Sequence, residues 1–410
     1  MFSSYRKGFV FIALFAFLAG GCQQSQLTTP TVSPASLRDV PAQRLGYRFE
    51  NDVPPPPNAQ EAAPSQEKLS AIQIDFDQNR PGENLTKTVT SPDKQRVLAI
   101  YQRPEDEKGE FRLDLYDAGG KVIRKITPDA LALLFPDVIA WSPDGSSVAF
   151  AGARRVSVVA PNQEIIQEAP TPPSIEPENQ NADNAPPATP APSPTATAQT
   201  SAPILMFRTE QIYLFNRDGG DLKPLTQREG LIYFHFVWSP DSVMLAALSC
   251  KEPEWTSRPA ELRRAGRPRL VEKNGRERLL DDNLTDVFPV FSPDSAKVAT
   301  AYGTDVRIYD AQSNAPTSAA IPLQVPLLTS SQAFDAKQAN TTAQQNAGNV
   351  ALLPSELPPA SFNPIVALRW SDEKSLYLQT GYVRFFPNET ITSYMRWHRL
   401  NLSPQTAALR

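Results

Sequence analysis

The chain has 410 residues, a formal net charge of −4, 20% charged and 40% hydrophobic residues. This length holds two or three average domains or one large β domain, and the near-balanced charge excludes the strongly basic surface of a nucleic-acid-binding domain. Proline is the outlier, with 41 residues where ~5% is typical, so long stretches cannot pack.

The N-terminus carries Arg6 and Lys7, followed by the apolar run "FVFIALFAFL" at 9–18. That run is too short to span a bilayer, which takes ~20 residues, and reads as a secretion signal. It ends in "LAGGC" at 18–22. The ending resembles the bacterial lipobox, in which small residues precede a cysteine that is lipidated on sulfur and becomes the new N-terminus. Ala19 stands where that motif favours Leu, with Leu18 one place further out. The resemblance implies a lipoprotein signal peptide over 1–21, lipidation of Cys22 (palmitate-type chains) and a membrane anchor. Each buried acyl CH₂ contributes ~0.8 kcal/mol, so several chains together hold firmly. Cys250 is the other cysteine and ends the apolar run "MLAALSC". With Cys22 lipidated it has no disulfide partner, and it reads as a small buried hydrophobe. Residues 22–66 are rich in Pro, Ser, Thr, Gln and Ala, including "PPPP" at 54–57. They read as a disordered tether.

One motif then recurs. "TSPDKQRVLAIY" begins at Thr90, "WSPDGSSVAF" at Trp141, "WSPDSVMLAAL" at Trp238 and "FSPDSAKVATAY" at Phe291; "WSDEKSLYLQT" at Trp370 lacks the proline. Ser-Pro-Asp followed by Gly or Ser suits a type I turn feeding a β-prone run. Six residues after each Ser stands an apolar or aromatic residue: Val97, Val148, Leu245, Val298 or Tyr377. The Ser positions 91, 142, 239, 292 and 371 are separated by 51, 97, 53 and 79 residues. Removing the low-complexity stretches 161–203 and 326–354 shortens the long gaps to 54 and 50, giving a period near fifty. Each unit also holds a hairpin signal, such as Gly119-Gly120, Gly219-Gly220 or Asn274-Gly275 between apolar runs.

All-β units of this period predict a β-propeller, because a four-stranded sheet has two faces to bury and radial stacking buries both. The expectation is about six four-stranded blades over 67–410, with five to seven admitted. The sixth would draw on "LSAIQIDFDQ" at 69–78, read as a strand from its alternating Ile72, Ile74 and Phe76. Trp141, Trp238, Phe291 and Trp370 are expected to pack between blades. The pattern "WSPDG-x-x-VAF" followed by "IYLFNRDGG" resembles the WD-related propeller repeat of TolB-type proteins, also found in propellers of prolyl oligopeptidase relatives. The resemblance covers roughly 85–403 and implies the fold. TolB itself carries an N-terminal α/β domain, whose place is taken here by the tether.

Chemistry is sparse. His235 and His398 are the two histidines; both lie in strand-like runs and make no zinc spacing. No G-x-S-x-G elbow, P-loop or G-x-G-x-x-G appears. "DDNLTD" at 281–286 lacks Ca²⁺-loop spacing and reads as a turn with solvated carboxylates. Ser91 with Asp93, and Asp144, Asp241 and Asp294, read as turn-capping groups. No catalytic residue, metal ligand or cofactor is assigned. Residues 257–280 concentrate basic side chains, and Arg263, Arg264, Arg267 and Arg269 are candidates for a patch meeting an anionic partner.

The sequence therefore favours a monomeric, non-catalytic, membrane-anchored propeller lipoprotein of the bacterial cell envelope, on its periplasmic or extracellular face. It would serve as a scaffold for an envelope protein partner. The alternative is an envelope hydrolase, or a glycan or small-ligand binder, using the central channel.

Overall fold

The computed structural model describes residues 36–57, 59, 68–107, 109–154, 209–259, 265–333, 363–384 and 392–405. The readings of 1–21, Cys22, 161–203, Arg263 and Arg264 lie outside these residues.

Strand β1 (Leu45–Glu50) comes first. Five four-stranded antiparallel meanders follow among the described residues. Blade 1 is β2 (Asn84–Thr90), β3 (Arg96–Gln102), β4 (Arg112–Asp117) and β5 (Val122–Lys125). In blade 2, β6 (Leu131–Leu133) and β7 (Ile139–Trp141) both pair with β8 (Ser147–Arg154), followed by β9 (Glu210–Asn216) and β10 (Lys223–Pro224). Blade 3 is β11 (Leu231–Trp238), β12 (Met244–Lys251), β13 (Arg267–Glu272) and β14 (Glu277–Leu279); one parallel bridge, Ile232 to Glu210, ties it to blade 2. Blade 4 is β15 (Val290–Phe291), β16 (Lys297–Tyr302), β17 (Asp305–Asp310) and β18 (Ser318–Pro322). Blade 5 is β19 (Ile365–Trp370), β20 (Ser375–Arg384), β21 (Thr392–Pro404) and, last, β1.

The first strand of the chain thus completes the last sheet. β1 pairs with β21 from Leu45 opposite Pro404 to Glu50 opposite Arg399. This corrects the reading of 22–66 as a disordered tether throughout. Leu45, Tyr47 and Phe49 alternate with Gly46, Arg48 and Glu50, a period-two strand signal that the surrounding prolines masked. Residues 324–333 are likewise helical, with Leu327 buried, so the second low-complexity stretch does not begin at 326.

A second correction concerns 69–78. Ser70–Asn79 is helix α1, not a strand, and the described residues form five sheets where six were favoured. Ile72 and Phe76 are buried while Ile74 is 52% exposed. The i, i+4 pair takes one face of a helix, and the intervening Ile74 merely imitated strand alternation.

The core lies between blades. Leu98, Ile100 and Leu115 of blade 1 meet Val148, Phe150 and Phe215 of blade 2. Ala149, Ala151 and Leu214 of blade 2 meet Tyr233, Trp238 and Leu245 of blade 3. Ala246 and Leu270 of blade 3 meet Phe291 and Val298 of blade 4, and Ala299 and Ile308 of blade 4 meet Leu376 and Leu400 of blade 5. The small alanines on β8, β12 and β16 let successive sheets approach closely.

Blade 1 breaks the series on its other face. Val97, Ala99 and Tyr101 pack against Ile72 and Phe76 of α1, where every later blade packs against a preceding blade. The hairpin glycines show the substitution. A Cβ on Gly219 in blade 2 would meet Ile126 of blade 1 at 2.8 Å, and one on Gly120 in blade 1 would meet Ala71 of α1 at 2.8 Å. Both glycines have positive φ, 79° and 86°, so conformation and space both demand glycine. Arg80, just past α1, pairs with the buried Asp114 of β4 and lies over the rings of Phe76 and Tyr101.

Candidate functional site

Four of the recurrent turns share one hydrogen-bond network. Ser91, Ser142, Ser239 and Ser292 each donate their hydroxyl to the Asp two residues on: Asp93, Asp144, Asp241 and Asp294. Each Ser Oγ in turn accepts the backbone N–H five residues on, from Arg96, Ser147, Met244 or Lys297, at 2.9–3.0 Å. The Asp carboxylates accept the N–H of Gln95, Ser146, Val243 and Ala296 at 3.0–3.2 Å. The residue after each Asp (Lys94, Gly145, Ser242, Ser295) has φ between 61° and 67°. Proline pre-sets the entry to the turn, the Asp satisfies its interior, and a left-handed residue turns the chain back.

The fifth turn is one residue shorter. Ser371 N–H reaches Ser375 O, four residues on, whereas Ser142 N–H reaches Ser147 O, five on. Loss of the proline from "WSDEKS" therefore removes a position. The register corrects the sequence alignment accordingly. Trp141 stands opposite Val148, Trp238 opposite Leu245 and Phe291 opposite Val298, and Trp370 stands opposite Leu376, not Tyr377.

The rings before the turns bridge blades. Trp141 Nε1 donates to Val89 O of blade 1 at 3.2 Å, Trp238 Nε1 to Ala140 O of blade 2 at 3.1 Å, and Trp370 Nε1 to Val290 O of blade 4 at 3.3 Å. Phe291 lacks a donor and sits in the core between blades 3 and 4.

The same end of the sheets gathers a set of contacts invisible to motif reading. The hairpin of each blade reaches the turn of the blade before it. Arg217 of blade 2 binds the Asp93 carboxylate. Lys273 of blade 3 approaches Ser146 at 3.3 Å, and Gln312 of blade 4 donates to Asp241 at 2.9 Å. On blade 4 the N-terminal segment takes this part, with Arg38 donating to Asp294 O. Two turns also join directly, Asp144 N–H to Ser242 Oγ and Asp241 N–H to Ser295 Oγ, each at 3.0 Å.

The Ser91 hydroxyl, helped by Gln95 N–H and Arg217, holds the Asp93 carboxyl down at about 2. Burial alone would raise the Asp144 carboxyl, but the donors Ser142 and Ser146 hold it at about 2. These carboxylates are anions committed to backbone geometry, with nothing poised near neutral pH for proton transfer.

The basic stretch is also spent internally where it is described. Arg267 makes a bidentate pair with Glu254 at 2.7 and 2.9 Å and binds Asp282 at 3.0 Å. Arg269 is buried between Glu277 and Ser249. The sequence could not show that α2 (Glu252–Ser257) brings Glu254 under them. "DDNLTD" departs from expectation as well, since Asp281 is not solvated. It accepts from Arg307 at 2.9 Å and Tyr309 at 2.8 Å.

Both histidines are drawn toward the neutral form by burial, to about 4. His235 stacks on Phe288 with centroids 3.6 Å apart. His398 accepts Asp52 N–H at Nδ1 (3.3 Å) and faces Thr380 Oγ1 through Nε2 (3.0 Å), within a group that includes the Asp52–Arg396 ion pair. Burial raises the Cys250 thiol to about 12, so it is an inert core group. Among the described residues no cluster of three or more His, Cys, Asp or Glu is placed to hold a metal ion.

Three open grooves of about 590, 520 and 570 Å³ lie between blades 1 and 2, 2 and 3, and 3 and 4. Each runs between the hairpin of one blade and the outer strands of the blade before it, so they are one geometric feature repeated.

No family model and no curated protein matches the chain. Solved structures share the arrangement of sheets at low similarity. A putative TolB from Agrobacterium tumefaciens is 16% identical over 57% of this chain and 65% of its own, with a TM-score of 0.27. An oligogalacturonate lyase from Vibrio parahaemolyticus is 10% identical over 77% and 65%, with a TM-score of 0.32. Prolyl oligopeptidase B from Galerina marginata is 11% identical over 77% and 34%, with a TM-score of 0.36. The chain spans just under two thirds of the first two and about a third of the last.

Proposed function

We propose that this chain is a non-catalytic, membrane-anchored propeller lipoprotein of the cell envelope, attached through Cys22, and that it acts as a protein-interaction scaffold. One observation carries the reading. The acidic residue at each of the four Ser-Pro-Asp turns is held by its own turn, so the most ordered face of the molecule displays fixed backbone rather than reactive groups. A rigid face of repeated turns suits docking of another protein. The lipobox-like ending at Cys22 would hold that face at a membrane.

Affinity capture from detergent-solubilised envelope tests the scaffold. A stoichiometric protein partner is expected; recovery of none removes the reading. Replacing Cys22 with Ala is expected to move the protein from the membrane to the soluble fraction, and continued membrane association removes the anchor.

A further inference from the structure

A series of five stacked blades has two end faces. One, on blade 1, is covered by α1. The other is the face of blade 5 turned away from blade 4, and its chemistry departs from the rest of the molecule. At the position just after the residue opposite the turn aromatic, blades 1 to 4 carry Leu98, Ala149, Ala246 and Ala299, all fully buried. Their cross-strand neighbours are Leu115, Leu214, Leu270 and Ile308. In blade 5 the same pair is Tyr377 opposite Arg399, and both are half-buried. The row continues across the sheet, with Arg369 opposite Tyr377 and Glu50 opposite Arg399. The next row holds Gln379 opposite Trp397, also half-buried. Beside them Val366 is 39% and Met395 61% exposed.

Three guanidinium groups, Arg48, Arg369 and Arg399, share this face with one carboxylate, Glu50. Arg399 is paired with Glu50, while Arg48 stands 3.9 Å from it with 81% of its side chain exposed. The face is cationic in a chain whose net charge is −4. It cannot be covered by an apolar blade without desolvating those charges. Guanidinium planes beside aromatic rings and side-chain amides match the carboxylates and backbone amides of an extended peptide.

We infer that the free face of blade 5 is the docking surface of the scaffold, and that its partner presents an acidic, extended polypeptide segment there. This inference rests on the scaffold reading. Its test uses the full chain and a fluorescein-labelled poly-Glu peptide, with poly-Gln as the neutral counterpart. Wild type is expected to bind poly-Glu and not poly-Gln. The double reversal Arg48→Glu with Arg369→Glu is expected to weaken binding at least about tenfold. Trp397→Ala, which changes no charge, is expected to weaken it as well. The matched reversal Arg124→Glu with Lys125→Glu, on the exposed outer strand of blade 1, is expected to leave it unchanged. Failure of poly-Glu to bind, equal loss in the two double variants, or binding of heparin in place of the peptide overturns the inference. An envelope protein captured equally by wild type and by the Arg48/Arg369 variant overturns it while leaving the scaffold reading in place.

Discussion

Ser242 Oγ accepts the backbone N–H of Asp144 across the boundary between blades 2 and 3, at 3.0 Å. Ser242 does this from a left-handed conformation, φ 63°, that favours glycine; blade 2 has Gly145 at the corresponding place. The hydroxyl is thus retained against a backbone cost. Ser242→Ala keeps the strain and loses the acceptor, and is expected to destabilise by about 1 kcal/mol. Ser242→Gly loses the acceptor but relieves the strain, so its loss is expected to be smaller. Chemical denaturation of the two variants checks the order; a more costly glycine variant would show that the link between turns is not what holds the serine.

Helix α1 stands in for a blade, and its lock is buried. The Arg80 and Asp114 side chains are 9% and 1% exposed. Removing one partner leaves a buried charge unpaired, at a cost of about 3–5 kcal/mol. Arg80→Met is expected to free α1 and expose Tyr101 and Tyr116 before the remaining blades unfold. Gly120→Ala is expected to act on the same contact, through its positive φ and its approach to Ala71 O. Hydrogen exchange read segment by segment checks both. Protection lost uniformly along the chain would mean that α1 is integral to one cooperative unit.

The repeat was legible because its physics is local. A turn of Ser, Pro, Asp and a left-handed residue sets the spacing, and an aromatic before it and a β-prone run after it mark two strands. Elements that owe their place to distant partners were not legible. β1 is a strand only because β21 offers it an edge, 354 residues on from Leu45 to Arg399. α1 is a helix because blade 1 lacks a preceding blade, so a face suited to Ile72 and Phe76 decided between two readings of "AIQIDF". Tyr377 was aligned with Val148 because a one-residue deletion in a turn leaves no local trace. The links from Arg217, Lys273 and Gln312 to the preceding turns escaped because each joins hairpin and turn through space. One signal was available: a polar residue recurs in the hairpin of each of these blades.

The indole links offer a direct measure of inter-blade coupling. Trp238 Nε1 donates to Ala140 O while its ring packs against blade 2. Trp238→Phe keeps most of the apolar contact and leaves the Ala140 carbonyl without that donor. A cost of about 1–2 kcal/mol is expected. The equivalent change at Phe291 is already present in the protein, so Phe291→Trp tests the converse and should be tolerated if the carbonyl it faces is in reach. A negligible cost at Trp238 would mean that ring burial alone holds the blades.

Stability should weaken on mild acidification, and the sign follows from the histidines. Burial holds His235 and His398 at about 4 in the folded chain, against ~6.5 when unfolded. Between those values the unfolded chain binds more protons, so the stabilisation is complete above about pH 6.5 and is lost as pH falls toward 4, by about 1.4 kcal/mol per pH unit for each histidine. The turn carboxylates Asp93 and Asp144, held at about 2, lose their contribution only below about pH 4. The two effects therefore separate on the pH axis. His398→Gln retains a side chain able to accept Asp52 N–H and removes one of the two titrations. Unfolding free energies measured from about pH 7 to about pH 4.5 should fall half as steeply in that variant as in wild type. An unchanged slope would place the acid sensitivity outside the His398 site.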